Sequence, residues 1–147
     1  MLKSLLMLSV LAAATASPAI AGEPAEAVRF FYENLGGEAG PENRDRFTGP
    51  ALDFLNAADA AWVRDETNCI DFGLAIDAQD FDDAEIARTL KLDETIKGDT
   101  ATVTAYFDNF GLATSVEWTL QKDADSWLVS DIASPDNAWR VSAMTCK

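Results

Sequence analysis

Between Leu90 and Ile132 apolar residues recur at every second position, and each alternating run breaks at a short charged or glycine-bearing turn. Strand side chains point alternately to two faces, so a period of two builds a sheet with one face to bury and one to wet. In Thr100–Asp108, Ala101, Val103, Ala105 and Phe107 fall on one face, with Thr102, Thr104 and Tyr106 on the other. Val116, Trp118 and Leu120 repeat the pattern opposite Glu117, Thr119 and Gln121. In the last run Trp127 and Val129 share a face, with Leu128, Ser130 and Ile132 opposite; Leu90, Leu92 and Ile96 mark an earlier strand. The connections Lys97-Gly98-Asp99, Phe110-Gly111-Leu112 and Asp123-Ala124-Asp125 are short enough for hairpins. The expected core of the fold is therefore an antiparallel four-stranded meander. Its apolar face needs a cover, which helices elsewhere in the chain must supply.

Two upstream segments have the period for that cover. Pro24–Leu35 places Val28, Phe31, Tyr32 and Leu35 on one helical stripe, with Pro24 in the first turn, Glu23 and Glu26 at the positive end and Gly36-Gly37 as the stop. Pro50–Arg64 reads as a second helix with Ala51, Leu55, Ala58 and Trp62 on one side. Glu38–Thr48 reads as a loop and Asp65–Asp83 as an acidic, irregular segment. Ser134-Pro135-Asp136 resembles a cap followed by proline at the first helical position, which predicts a short C-terminal helix through Met144; Trp139, Val141 and Ala143 would also fit a strand.

The first 21 residues carry a basic start at Lys3, an apolar run from Leu5 to Ala14 and a small-residue site at Ala19-Ile20-Ala21. This is the pattern of a secretory signal peptide cleaved after Ala21, and its apolar part is short for a membrane span. No cysteine adjoins the site, so a lipid anchor is not indicated. Residues 22–147 then form a single predicted α+β domain. Removing Lys3 leaves ten basic against 25 acidic residues, a net charge of −15. Such a chain repels nucleic acid and anionic lipid; the charge by itself favours solubility and secretion, with a basic partner as the sharper alternative. Two cysteines, Cys69 and Cys146, in an exported chain point to one disulfide.

Helix, loop, helix, acidic segment and then a meander ending in Trp127-Leu128-Val129-Ser130-Asp131-Ile132 is a recognisable order. With Ala27-Val28-Arg29-Phe30-Phe31-Tyr32, Asp77-Ala78-Gln79-Asp80 and Gly98-Asp99-Thr100-Ala101-Thr102-Val103, it resembles the nuclear-transport-factor-2-like superfamily, a cone-shaped α+β fold close to the cystatin-like class. Within it, the chain looks like a secreted bacterial domain-of-unknown-function family. The resemblance implies N-terminal helices packed on a curled meander. It does not choose among the isomerases, dehydratases, binding modules and immunity-type proteins that share the fold.

The chain has no histidine. That excludes Ser-His-Asp and Cys-His hydrolysis, His-Asp dehydration and histidine metal sites. Catalysis would rest on carboxylates, Tyr or Lys. Strand alternation places Asp131 on the Trp127 and Val129 face, where an unpaired carboxylate would have a raised pKa and serve as a base. Tyr32 or Tyr106 would supply an oxyanion donor, as in the ketosteroid-isomerase-like sites of the resembled superfamily. The competing reading pairs Asp131 with an arginine such as Arg29. Asp77, Asp80, Asp82, Asp83 and Glu85 have a calcium-like composition, but no EF-hand register fits them, and no metal or cofactor is expected. The aromatic residues would line a pocket or simply fill the core. Three functions follow: a non-catalytic periplasmic or secreted module binding a small ligand or a protein; a proton-transfer enzyme with Asp131 in an apolar pocket; or an acidic immunity-type protein masking a basic toxin. An enclosed pocket favours a ligand or a substrate, and a filled core favours a protein partner.

Overall fold

The computed structural model describes residues 23–147. The predicted signal peptide and its cleavage point after Ala21 lie outside the described residues. Helix α1 (Glu23–Glu33) leads through a 3-10 turn (Pro41–Arg46) to α2 (Gly49–Asp65) and α3 (Asp83–Thr89). The strands β1 (Lys91–Lys97), β2 (Thr100–Asn109), β3 (Leu112–Asp123), β4 (Ser126–Ser134) and β5 (Trp139–Arg140) follow, and a final 3-10 turn spans Val141–Ala143. All five strands pair antiparallel in sequence order, so the molecule is α+β with helices against one sheet.

The alternation of β2 and β3 is realised as read. Val103, Ala105, Val116, Trp118 and Leu120 are fully buried on one face. Helix α1 covers them with its Val28, Phe31 and Tyr32 stripe. The Phe31 ring stacks on Trp118 with centroids 4.9 Å apart, and Trp118 Nε1 donates to Tyr32 Oη at 3.2 Å. In the β2–β3 turn Phe110 and Gly111 both take positive φ, 50° and 74°. A mirror-image turn of this kind matches the strand twist, and Gly111 enters it without strain.

Four expectations are corrected. The sheet has five strands, not four, because the predicted C-terminal helix does not form. Ser134 Oγ accepts the Asn137 N–H at 3.0 Å and Ala138 sits at φ 54°, so the chain turns instead of coiling. It then folds back, pairing Trp139 with Ser134 and Arg140 with Ala133. A third helix, α3, occupies a stretch that carries no helical expectation; the Asp82 side chain caps it by accepting the Glu85 N–H at 3.0 Å, and Ile86 anchors it in the core. In α2 the buried residues are Ala51, Phe54, Leu55 and Ala61, while Trp62 is 57 % exposed. The last turn of α2 lies beside the 67–73 loop instead of over the sheet, which puts Trp62 at a groove rim. Within the segment read as wholly irregular, Gly73 donates to the Ala78 carbonyl at 2.8 Å, closing a tight loop that drives Leu74, Ala75 and Ile76 into the core.

The two sheet edges differ. Along β4, β5 covers one end, and a bridge from Phe47 to Val129, with Thr48 N–H donating to the Val129 carbonyl at 2.9 Å, covers the other. Strand β1 pairs only with β2, so its other edge is free among the described residues. That edge is short and carries Lys91, Asp93, Glu94 and Lys97, charges that discourage a further strand.

Candidate functional site

Asp131 is not on the Trp127 and Val129 face. Val129 pairs with Leu120 and Asp131 with Thr119, so Ser130 is an extra residue, a β-bulge, in β4. The bulge shifts the alternation by one position. Ile132, opposite Trp118, therefore enters the core, and Asp131 joins Thr119 and Glu117 on the outer face. There it is still 9 % exposed, because β5 and the following turn close over it. One oxygen accepts Arg140 Nη1 at 2.9 Å and Ser142 Oγ at 2.6 Å; the other accepts the backbone N–H groups of Ser142 and Ile132 at 2.9 and 3.0 Å. The arginine partner is thus Arg140 and not Arg29, which pairs with Glu26. Hydrogen bonds from Arg140 to Asp131 and then to Glu117 hold the guanidinium above its ordinary pKa. The geometry of Asp131 is that of a clamp fastening the C-terminal turn to β4.

The two tyrosines are not brought to it. Tyr32 is in the core under α1, where burial pushes its hydroxyl well above the usual tyrosine range, helped by the charge of Glu38. Tyr106 is 45 % exposed and registers with Ser115, four residues along β3 from the Thr119 that faces Asp131.

The acidic cluster disperses into structural tasks. Asp77 accepts Trp139 Nε1 at 2.5 Å, Ser134 Oγ at 2.5 Å and Asn137 Nδ2 at 2.6 Å, fixing the β4–β5 turn. Asp82 caps α3, Asp83 accepts the Ala84 N–H, and Glu85 accepts the Gly111 N–H at 3.0 Å, tying α3 to the β2–β3 turn. Asp80 takes part through its carbonyl, which accepts Asn109 Nδ2. Among the described residues no three His, Cys, Asp or Glu side chains gather as a metal-holding group. The disulfide does form: Cys69 joins Cys146 across a separation of 77 residues, and no cysteine is left free.

The space between helices and sheet is packed with side chains, Phe31, Leu55, Leu74, Trp118 and Leu120 among them. The concavities are surface grooves. One of about 490 Å³ runs between the C-terminal half of α2 and the 67–73 loop. Glu38 lies at its floor, 3 % exposed, with Oε1 facing the Ala75 N–H at 3.4 Å and Oε2 without a partner. Trp62 and Phe81, both exposed, form part of its wall. Glu38 is invisible to sequence reasoning: it sits in a polar loop, and the distant 73–75 segment packs against its carboxylate.

No protein-family model matches the sequence, and no curated protein matches it. Solved structures share the fold. A chain of the selenomethionine form of the type VI effector–immunity complex Tae3–Tai3 from Ralstonia pickettii superposes with a TM-score of 0.54 at 16 % identity, over 78 % of this chain and 97 % of that one. A chain of the native form of the same complex gives 0.53 at 18 % identity, over 76 % and 93 %. At these identities the likeness is one of fold.

Proposed function

We propose that this chain is the immunity half of an effector–immunity pair, an exported acidic domain that neutralises a basic effector by covering part of its surface. The observation that carries the reading is the fold likeness, which spans nearly the whole of chains taken from effector–immunity complexes. The residues favour the inhibitory side. The chain has no histidine and a net charge of −14; both cysteines are spent on the disulfide, and Asp131 is committed to Arg140 and Ser142. A field of one sign speeds encounter with an oppositely charged partner and disfavours wrong ones. The filled core supports a protein partner over an enclosed small ligand. The signal-like N-terminus and the disulfide support a periplasmic site of action. The superfamily resemblance is proposed on the same terms, from element order.

The test is expression of the protein encoded beside this chain's gene, directed to the periplasm of a bacterial host. Growth should stop when it is expressed alone and resume when this chain is exported with it. A harmless neighbour, or a toxic one that this chain does not neutralise, would overturn the proposal.

A further inference from the structure

The groove beside α2 has the chemistry of a receptor for a cation, and we infer that it seats an arginine side chain of the partner protein. Three observations converge. Glu38 is a nearly fully buried carboxylate whose Oε2 has no donor, although a buried charge is normally paired. Asp59 and Asp71 also line the groove and no Lys or Arg does. Arg44 donates through Nη1 to the Ala39 and Gly40 carbonyls and through Nη2 to Asp59 at 2.6 Å; its Nε, like Glu38 Oε2, is buried without a partner, and neither Glu38 nor Asp71 forms an ion pair among the described residues. Finally, the wall is aromatic and exposed where it meets solvent, with Trp62 at 57 % and Phe81 at 38 %.

A guanidinium is planar, carries five donors and is weakly hydrated, so it can donate to a carboxylate while lying against an aromatic face. An ammonium lacks the flat face and holds its water more strongly. Trp and Arg are enriched among the few residues that dominate interface energies, and such residues fill desolvated pockets on the partner. The backbone at Gly73 fits closely against the Glu38 carboxylate. A Cβ at Gly73 would lie 2.7 Å from Ile76 Cγ1 and 3.3 Å from Glu38 Oε1, so only glycine lets the loop close against this carboxylate.

The occupant's being an effector rests on the immunity reading; the chemistry of the groove does not. The purified protein without its signal is titrated by NMR with a capped Gly-Ser-Arg-Ser-Gly peptide, with its lysine and citrulline counterparts, and with spermidine. The arginine peptide should shift the Trp62 indole and the Gly73 and Ala75 amides. Citrulline should bind about tenfold or more weakly, as should the arginine peptide to Glu38→Gln, which keeps the side-chain shape and an acceptor for Ala75. Trp62→Ala, at an exposed position, should reduce the preference for arginine over lysine with the fold unchanged. Equal binding of citrulline, tighter binding of spermidine, or shifts confined to another groove would overturn the inference. The growth assay separates the two claims. Peptide binding without rescue removes the immunity reading and leaves the groove; full rescue by both Glu38→Gln and Trp62→Ala does the reverse.

Discussion

Replacing both cysteines, Cys69→Ser with Cys146→Ser, should cost about 4.5 kcal/mol of folding stability. The bond closes 77 residues of chain. In the chain-entropy account the open unfolded state gains about 15 cal/mol/K for a loop of that size, which gives that figure near room temperature. The loss is large against the 5–15 kcal/mol that typically separates folded from unfolded domains, roughly. Two structural details set how it is distributed. Cys69 and Cys146 both lie in stretches without regular structure, so neither is otherwise held by a strand or a helix. Amide exchange in 67–72 and 144–147 should therefore accelerate more than in β2 and β3. Urea titration with and without reductant is the assay: the midpoint should fall, and the slope should rise because the uncrosslinked chain exposes more surface when unfolded. A loss below about 1 kcal/mol with an unchanged slope would refute the loop-entropy reasoning.

Asp131→Ala should cost about 2–4 kcal/mol in thermal unfolding, because it strips the clamp on β5 and leaves Arg140 to Glu117 alone; an unchanged melting temperature would remove the clamp. Asp77→Ala should cost a similar amount, about 2–4 kcal/mol, since three side-chain donors lose their acceptor, and the loss should show first as fraying of β5. Tyr32 predicts an alkaline limit. Its folded pKa is raised above the ordinary 10.0, so below that value both states keep the proton and the contribution is intact. Above it only the unfolded chain ionises there, and stability falls by up to about 1.4 kcal/mol per pH unit. Tyr32→Phe should flatten that slope; an equal slope in the variant would place the alkaline loss elsewhere.

The sheet was legible because burial and register agree with a local period. Ala101 to Phe107 and Val116 to Leu120 alternate without interruption, and so do their environments. Asp131 was misplaced by one extra residue. Ser130 fits any alternation, and only its pairing across β3, with Oγ donating to the Thr119 carbonyl, identifies it as the bulge. Helix α3 is seven residues long and buries only Ile86, too short and too weakly apolar to show a helical period; its acidic residues read as a cluster instead of a cap. Trp62 and Glu38 went the other way: the apolar residue is exposed and the acid buried, because the 67–78 loop supplies surroundings that no local pattern encodes.

The free edge of β1 bears on whether two copies of this protein can join. If two β1 strands met antiparallel with full overlap, the two-fold axis would pass through Glu94, and Lys91 of each copy would stand opposite Lys97 of the other. Like charges directly across a strand pair repel, and a cationic clash would stand at each end of the seam. Sliding by two residues relieves the clash but shortens an already short seam. The edge thus discriminates against self while leaving its backbone groups open to a strand of different charge pattern. Sedimentation at high protein concentration should show monomers in low salt, with any self-association appearing first as salt screens the lysines.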